Sequence, residues 1–146
     1  MAKKTIQSQN LSGVGNSIEH QYIISDLIFG VRKKLSKNKK WNKCFALSEI
    51  SLSSLGYDAN DFTHNHNIDF VVIDENKDVK VLIEIQKKGI DIKKNRSKIE
   101  ECVEKIDTIE DAFLIRFDKE GKIYFDRYDG EWEENISSKS KFLVTI

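Results

Sequence analysis

Residues 67–87 read NIDFVVIDENKDVKVLIEIQK, and this stretch decides the fold. Two apolar, β-branched runs flank the polar break Glu75-Asn76-Lys77-Asp78, which is the signature of a β-hairpin. A short even-numbered loop centres the turn between Asn76 and Lys77, so that residue i faces residue 153 − i. Asp69 then stands directly opposite Glu84, with Cβ atoms about 4.5–5.5 Å apart. Two carboxylates held that close repel each other unless something positive lies between them, and a divalent cation suits that position.

Alternation of side chains along the strands sharpens this reading. One face of the hairpin carries Ile68, Phe70, Val72, Val79, Val81, Ile83 and Ile85 and is expected to be core. The other carries Asp69, Val71, Ile73, Lys80, Leu82, Glu84 and Gln86, with its acidic and amide residues gathered at the end away from the turn. Acidic residues are depleted in strands, so two of them aligned on one face point to a site rather than to solvated surface.

The 146 residues suffice for one domain with a core of its own. Their 39% apolar and 33% charged composition is that of a globular protein. No apolar run reaches the roughly 20 residues of a membrane span, and MAKKTIQSQNLSG lacks a signal-peptide core, so the expectation is a cytoplasmic protein with no membrane partner. Cys44 and Cys102 lie in apolar segments and read as reduced core thiols. The formal net charge is zero, but Arg32, Lys33, Lys34, Lys37, Lys39, Lys40 and Lys43 form one basic cluster, and Lys87, Lys88, Lys93, Lys94, Arg96 and Lys98 a second. Each is either a phosphate-binding patch or simply solvated surface.

Around the hairpin, residues 1–15 read as a flexible arm and residues 16–146 as a single domain. A helix is expected from Asn16 or Ser17 to Leu35, with Ile18, Tyr22, Leu27, Ile28, Val31 and Leu35 as its apolar stripe. A strand follows over Lys43–Leu52, then a polar loop over Ser53–Asn67. Beyond Gly89 a second helix begins near Asn95 or Ser97, with the stripe Ile99, Cys102, Val103 and Ile106. Strands over Ala112–Phe117 and Lys122–Tyr128 flank the turn Asp118-Lys119-Glu120-Gly121, and Phe142–Ile146 reads as a last short strand. The order is α-β-β-β-α-β with a β extension: an α/β domain with a mixed central sheet flanked by helices.

This element order, with Ile68-Asp69 followed by Glu84-Ile85-Gln86, resembles the PD-(D/E)XK nuclease superfamily, and the similarity to small Holliday-junction-resolvase-type members spans residues 13–128. The resemblance implies a restriction-endonuclease-like fold and a Mg²⁺- or Mn²⁺-dependent endonuclease acting on DNA, with a homodimer needed to cut both strands. It further implies that Asp69, Glu84, the Ile85 carbonyl and Glu19 of the first helix hold the metal. Two positions depart from the pattern. Ile68 replaces a proline. Gln86 replaces the lysine that helps activate water; it is neutral and cannot act as a base, though it can orient a water by hydrogen bonding. Alternatively a lysine of the second helix (Lys93, Lys94 or Lys98) substitutes for it, or catalysis is lost and the chain is a nucleic-acid-binding or assembly module. His64-Asn65-His66 reads as a loop flanking the site with at most weak affinity for metal, and Trp41, Trp132 and Tyr57 as packing residues. The sequence offers His20 no role.

Overall fold

The computed structural model describes residues 18–64 and 66–136. Helix α1 (Ile18–Lys37) leads into strand β1 (Phe45–Ser51), and two short 3-10 turns (Leu52–Leu55 and Ala59–Asp61) connect it to β2 (Asn67–Ile73). Then come β3 (Val79–Lys87), α2 (Lys93–Lys105), β4 (Asp111–Phe117), β5 (Ile123–Tyr128) and β6 (Trp132–Ile136). The strands form one six-stranded sheet in chain order. All neighbouring pairs are antiparallel except β3 and β4, which run parallel because α2 crosses between them. No helix among the described residues is long and apolar enough to cross a membrane.

Each helix covers one face of the sheet. Ile23, Ile24, Leu27, Val31 and Leu35 of α1 pack on Phe70, Val72, Val81, Ile83 and Ile85. Ile99 and Cys102 of α2 join Leu52, Ile68, Val71, Leu82 and Leu114 on the other face. The α1 stripe differs from the one read in the sequence. Ile18 and Tyr22 are exposed, and the buried row starts at His20 and continues through Ile23, Ile24 and Leu27. Counting His20 as polar broke a stripe that is continuous at helical period.

The hairpin keeps the expected register over Phe70↔Ile83, Val71↔Leu82 and Val72↔Val81. A bulge between Val72 and Ile73 then brings Val79 opposite Ile73, and Val79 joins the α2-side core. Ile68 also lies on the α2 side rather than with Phe70. The break coincides with an irregularity in β1, where Glu49 has φ +50° between the Ser48↔Phe70 and Ile50↔Ile68 pairs. Two of the seven residues assigned to one face by strict alternation therefore sit on the other, because a bulge or kink resets the period.

The remaining differences are at boundaries. Helix α2 starts at Lys93, where Asp91 Oδ1 accepts from the Lys93 amide at 2.9 Å. The Ser53–Asn67 loop is largely ordered by apolar anchors: Leu55, Tyr57 and Phe62 pack on the α2-side core. Strand β6 was not anticipated, since its Glu133 and Glu134 read as acidic surface, while the expected Phe142–Ile146 strand and the 1–15 arm lie outside the described residues. Cys102 is buried, with burial pushing its thiol up to about 12, and Cys44 is half-buried; both are free.

Polar contacts fix α2 over the sheet. Arg96 reaches Glu134 at 2.7 Å and Asp126 at 3.5 Å, and Trp132 Nε1 donates to Glu100 at 2.8 Å. Asp126 is fully buried and also accepts from Arg116 at 2.8 and 3.0 Å and from the Asn135 amide at 3.0 Å. Removing one member of a buried ion pair leaves the others uncompensated. Asp126→Ala is therefore expected to destabilise the domain by about 3–5 kcal/mol in urea denaturation; a loss no larger than that of an ordinary surface substitution would show that the β4–β6 network does not anchor α2.

Candidate active site

Beyond Phe70↔Ile83 the β2–β3 ladder gives way to a different bonding pattern. The Asp69 amide donates to Glu84 Oε2 at 2.9 Å, and the Ile85 amide donates to Asp69 Oδ2 at 2.8 Å. Two carboxylates thus take over backbone amides at this end of the hairpin. Asp69 and Glu84 meet through this amide bond, beyond the last paired residues of the ladder, and they do not align on one face as expected: Glu84 meets Lys98 of α2 and Asp69 meets His20 of α1.

The two carboxylates have different surroundings. Glu84 points to the α2 face, where its side chain is 3% exposed and Oε1 pairs with the Lys98 ammonium. Lys98 also donates to the Asn67 carbonyl and is itself buried. Asp69 is 25% exposed, and its Oδ2 lies 3.4 Å from His20 Nε2 on α1. The pair is therefore flanked by a lysine from one helix and a histidine from the other.

Electrostatics drives the two carboxyls apart. Burial, followed by the Asp69 charge, pushes Glu84 up to about 7, against the restraining Lys98 ammonium. Burial also opposes ionisation of Asp69, but hydrogen bonds from His20 and the Ile85 amide, together with the imidazolium charge, outweigh it and hold Asp69 below its ordinary value. His20 is raised: burial disfavours its charge, and the Asp69 contact and the Ile85 backbone more than offset that.

Not every residue assigned to the site by sequence arrives there. Glu19 is exposed and lines a groove with Phe117, Asp118 and Ile123. Neighbouring helical positions point about 100° apart, so the turn that aims His20 at Asp69 carries Glu19 away. Gln86 is buried on the α2 side, but its amide is already engaged: Nε2 donates to the Ile90 carbonyl at 3.0 Å and Oε1 accepts from Asn95 at 2.7 Å. It pins the loop between β3 and α2 with one of its two N–H groups and one lone pair of its oxygen. Lys87 is exposed. Among the lysines considered as substitutes, Lys98 meets Glu84, while Lys93 and Lys94 are exposed. His64 is tied to Glu101 at 3.2 Å, and Glu101 also accepts from the Thr63 and His64 amides at 3.0 and 3.1 Å. Trp41 is buried, and Tyr57 packs on the α2-side core with its hydroxyl accepting from the Val79 amide at 3.4 Å.

Among the described residues no group of three or more His, Cys, Asp and Glu side chains forms a metal-ligand cluster. Mg²⁺ is commonly bound by one or two carboxylates and retains several waters; of the oxygens here, Glu84 Oε1 meets Lys98, Glu84 Oε2 accepts from the Asp69 amide, and Asp69 Oδ2 accepts from the Ile85 amide beside His20. No protein-family profile matches this chain, and no curated protein matches it in sequence.

The proton affinities carry a stability signature. Folded Glu84 holds its proton up to about 7 against an ordinary 4.5, so deprotonation weakens folding as pH rises through that window. The His20 contribution has the same sign, being complete below 6.5 and lost as pH rises through its raised value. The Asp69 contribution is present above 3.8 and lost only below it. In metal-free buffer the urea midpoint is expected to fall as pH rises from about 4.5 to about 7, with Glu84→Gln flattening the trend; a wild-type midpoint that rises across this range would contradict the assignment.

Proposed function

We propose that the protein is a metal-dependent nuclease that hydrolyses phosphodiester bonds in DNA. The observation that carries this reading is the meeting of Asp69, Glu84 and Lys98 at the end of the β2–β3 hairpin. The sheet order, with α1 before β1 and α2 crossing between the parallel strands β3 and β4, is compatible with a restriction-endonuclease-like core. In that fold Asp69, Glu84 and the Ile85 carbonyl would hold Mg²⁺ or Mn²⁺. The metal would supply Lewis acidity and a bound water of lowered pKa.

The chain's own residues account for the rest. Lys98 supplies the cation absent from position 86, reaching Glu84 from the second helix. Its ammonium favours negative charge developing on a phosphoryl oxygen or an attacking water. His20 orients Asp69 through the 3.4 Å contact from α1, taking the place expected of Glu19. Gln86 acts at one remove by holding the Ile90 loop. Each chain carries one such carboxylate pair, so cutting both strands of a duplex takes two copies.

A second reading is an inactive nuclease-like module that binds DNA. The Lys98–Glu84 contact favours it, because an internal ammonium already occupies one oxygen of the buried carboxyl without metal.

Cleavage of single-stranded, duplex and branched DNA over a Mg²⁺ and Mn²⁺ series separates the two. Cleavage is expected, reduced about 100-fold or more by Asp69→Ala, Glu84→Ala or Lys98→Ala, the scale on which loss of one charge-stabilising group is felt. Lys93→Ala and Lys94→Ala should leave the chemical step intact. Gln86→Lys should not improve it, since it removes the Ile90 and Asn95 bonds and adds a buried charge. Calorimetry should show Mn²⁺ binding that the Asp69→Ala, Glu84→Ala double variant loses. DNA binding without cleavage under every condition would favour the inactive module.

A further inference from the structure

The fold separates the two basic clusters of the sequence to opposite ends of the sheet. Asp69 lies near the start of β2 and Glu84 near the end of β3, whereas the 38–44 segment leads into the start of β1, next to the end of β2. Strand β3 alone spans Val79–Lys87, about 26 Å at 3.3 Å per residue. At the far end Lys39, Lys40, Lys43 and Lys80 share a cleft with Asp74, Glu75 and Glu110, where Lys40 pairs with Glu110 at 3.3 Å and Lys80 with Asp74 at 3.9 Å.

The near end is different. Gln86, Arg116 and Tyr124 form one row across β3, β4 and β5, next to the row that contains Glu84 and Leu114. Around the Tyr124 ring gather Lys88 Nζ at 4.2 Å, Lys122 Nζ at 5.2 Å and Arg116 Cζ at 5.6 Å. Arg116 is neutralised by Asp126. Lys88 and Lys122 are exposed, and neither makes an ion pair among the described residues. The carboxylate beside the ring, Asp118, accepts from the Lys122 and Glu120 amides at 2.8 and 3.0 Å and from the Tyr124 hydroxyl at 3.4 Å, so it is engaged in shaping the β4–β5 turn. The aromatic face lies under two ammonium groups that make no ion pair among the described residues.

We propose that DNA crosses the carboxyl-terminal ends of β3 and β4, with Lys88 and Lys122 around Tyr124 gripping backbone phosphates on one side of the bond positioned at Asp69 and Glu84. The proposal rests on the nuclease reading and names the surface that reading requires. Strand and residue spacings put Tyr124 about 12 Å from Glu84. That is about three to four nucleotides of duplex rise, a span a bound strand covers while one phosphodiester sits at the carboxylates. Lys93 and Lys94 are exposed on the first turn of α2, whose Asn95 meets Gln86 of that row. The Gln86 bond to the Ile90 carbonyl fixes the connecting loop, so the amide at the lysine position serves binding instead of chemistry.

The test is fluorescence anisotropy of a short labelled DNA duplex in Ca²⁺ buffer across a salt series. Each phosphate neutralised contributes about 0.9 to the slope of log affinity against log salt. The Lys88→Ala, Lys122→Ala double variant should lower that slope by about two and weaken binding roughly tenfold at low salt. Lys88→Arg with Lys122→Arg should restore both. Lys39→Ala with Lys43→Ala should change neither, although it removes the same formal charge. Thermal melts are expected to coincide for all of these surface variants. A wild type that binds with an unchanged slope in the Lys88, Lys122 double variant, or that loses more through Lys39 and Lys43, overturns this surface and leaves the nuclease reading standing. A wild type that binds no DNA overturns both.

Discussion

The arrangement depends on a substitution of one kind of hydrogen bond for another. Where β2 and β3 pass Phe70 and Ile83, the Asp69 and Ile85 amides bond to carboxylates across the seam. Buried amides must find acceptors, so Asp69 and Glu84 have a structural part whatever else they do. The requirement propagates. A carboxylate as buried as Glu84 is costly without a cation; Lys98 supplies one, and Lys98 reaches it only while α2 stays docked through Arg96, Asp126 and Trp132. The site is thus braced from the β6 edge of the sheet, whose Trp132 and Glu134 belong to its support.

Much of this was legible in the residues. The β-branched runs on either side of Glu75–Asp78 fix a hairpin, and the symmetric placement of their apolar positions fixes a register that holds at Phe70–Val72. The α2 stripe could be read because Ile99, Cys102 and Ile106 keep one helical period. Other features depend on information that periodicity does not carry. A bulge moves Val79 to the other face without altering the apolar character of the strand. Which of Glu19 and His20 faces Asp69 is a matter of helical phase, and that phase was recoverable only by admitting a histidine into the buried stripe of Ile23, Leu27 and Val31. The partners of Lys98 and Gln86 were out of reach, because each is set by how a helix and a loop settle on the sheet.

Glutamine at position 86 has a physical rationale of its own. Glu84 and Gln86 both face α2, so a lysine at 86 would bring a second ammonium towards the one Lys98 already supplies. It would also be an ammonium with no acceptor carboxylate of its own, and it would remove an amide that accepts from Asn95 and donates to Ile90. Lysine has a flexible four-carbon stem, which lets its charge be delivered from a helix lying over the strand as readily as from the strand itself. A neutral amide, by contrast, can hold a loop from a buried position at little desolvation cost once both of its ends are bonded. The two residues therefore divide work that one lysine on the strand could not do alone: Lys98 balances the buried carboxylate, and Gln86 keeps the chain ordered between that carboxylate and the first turn of α2.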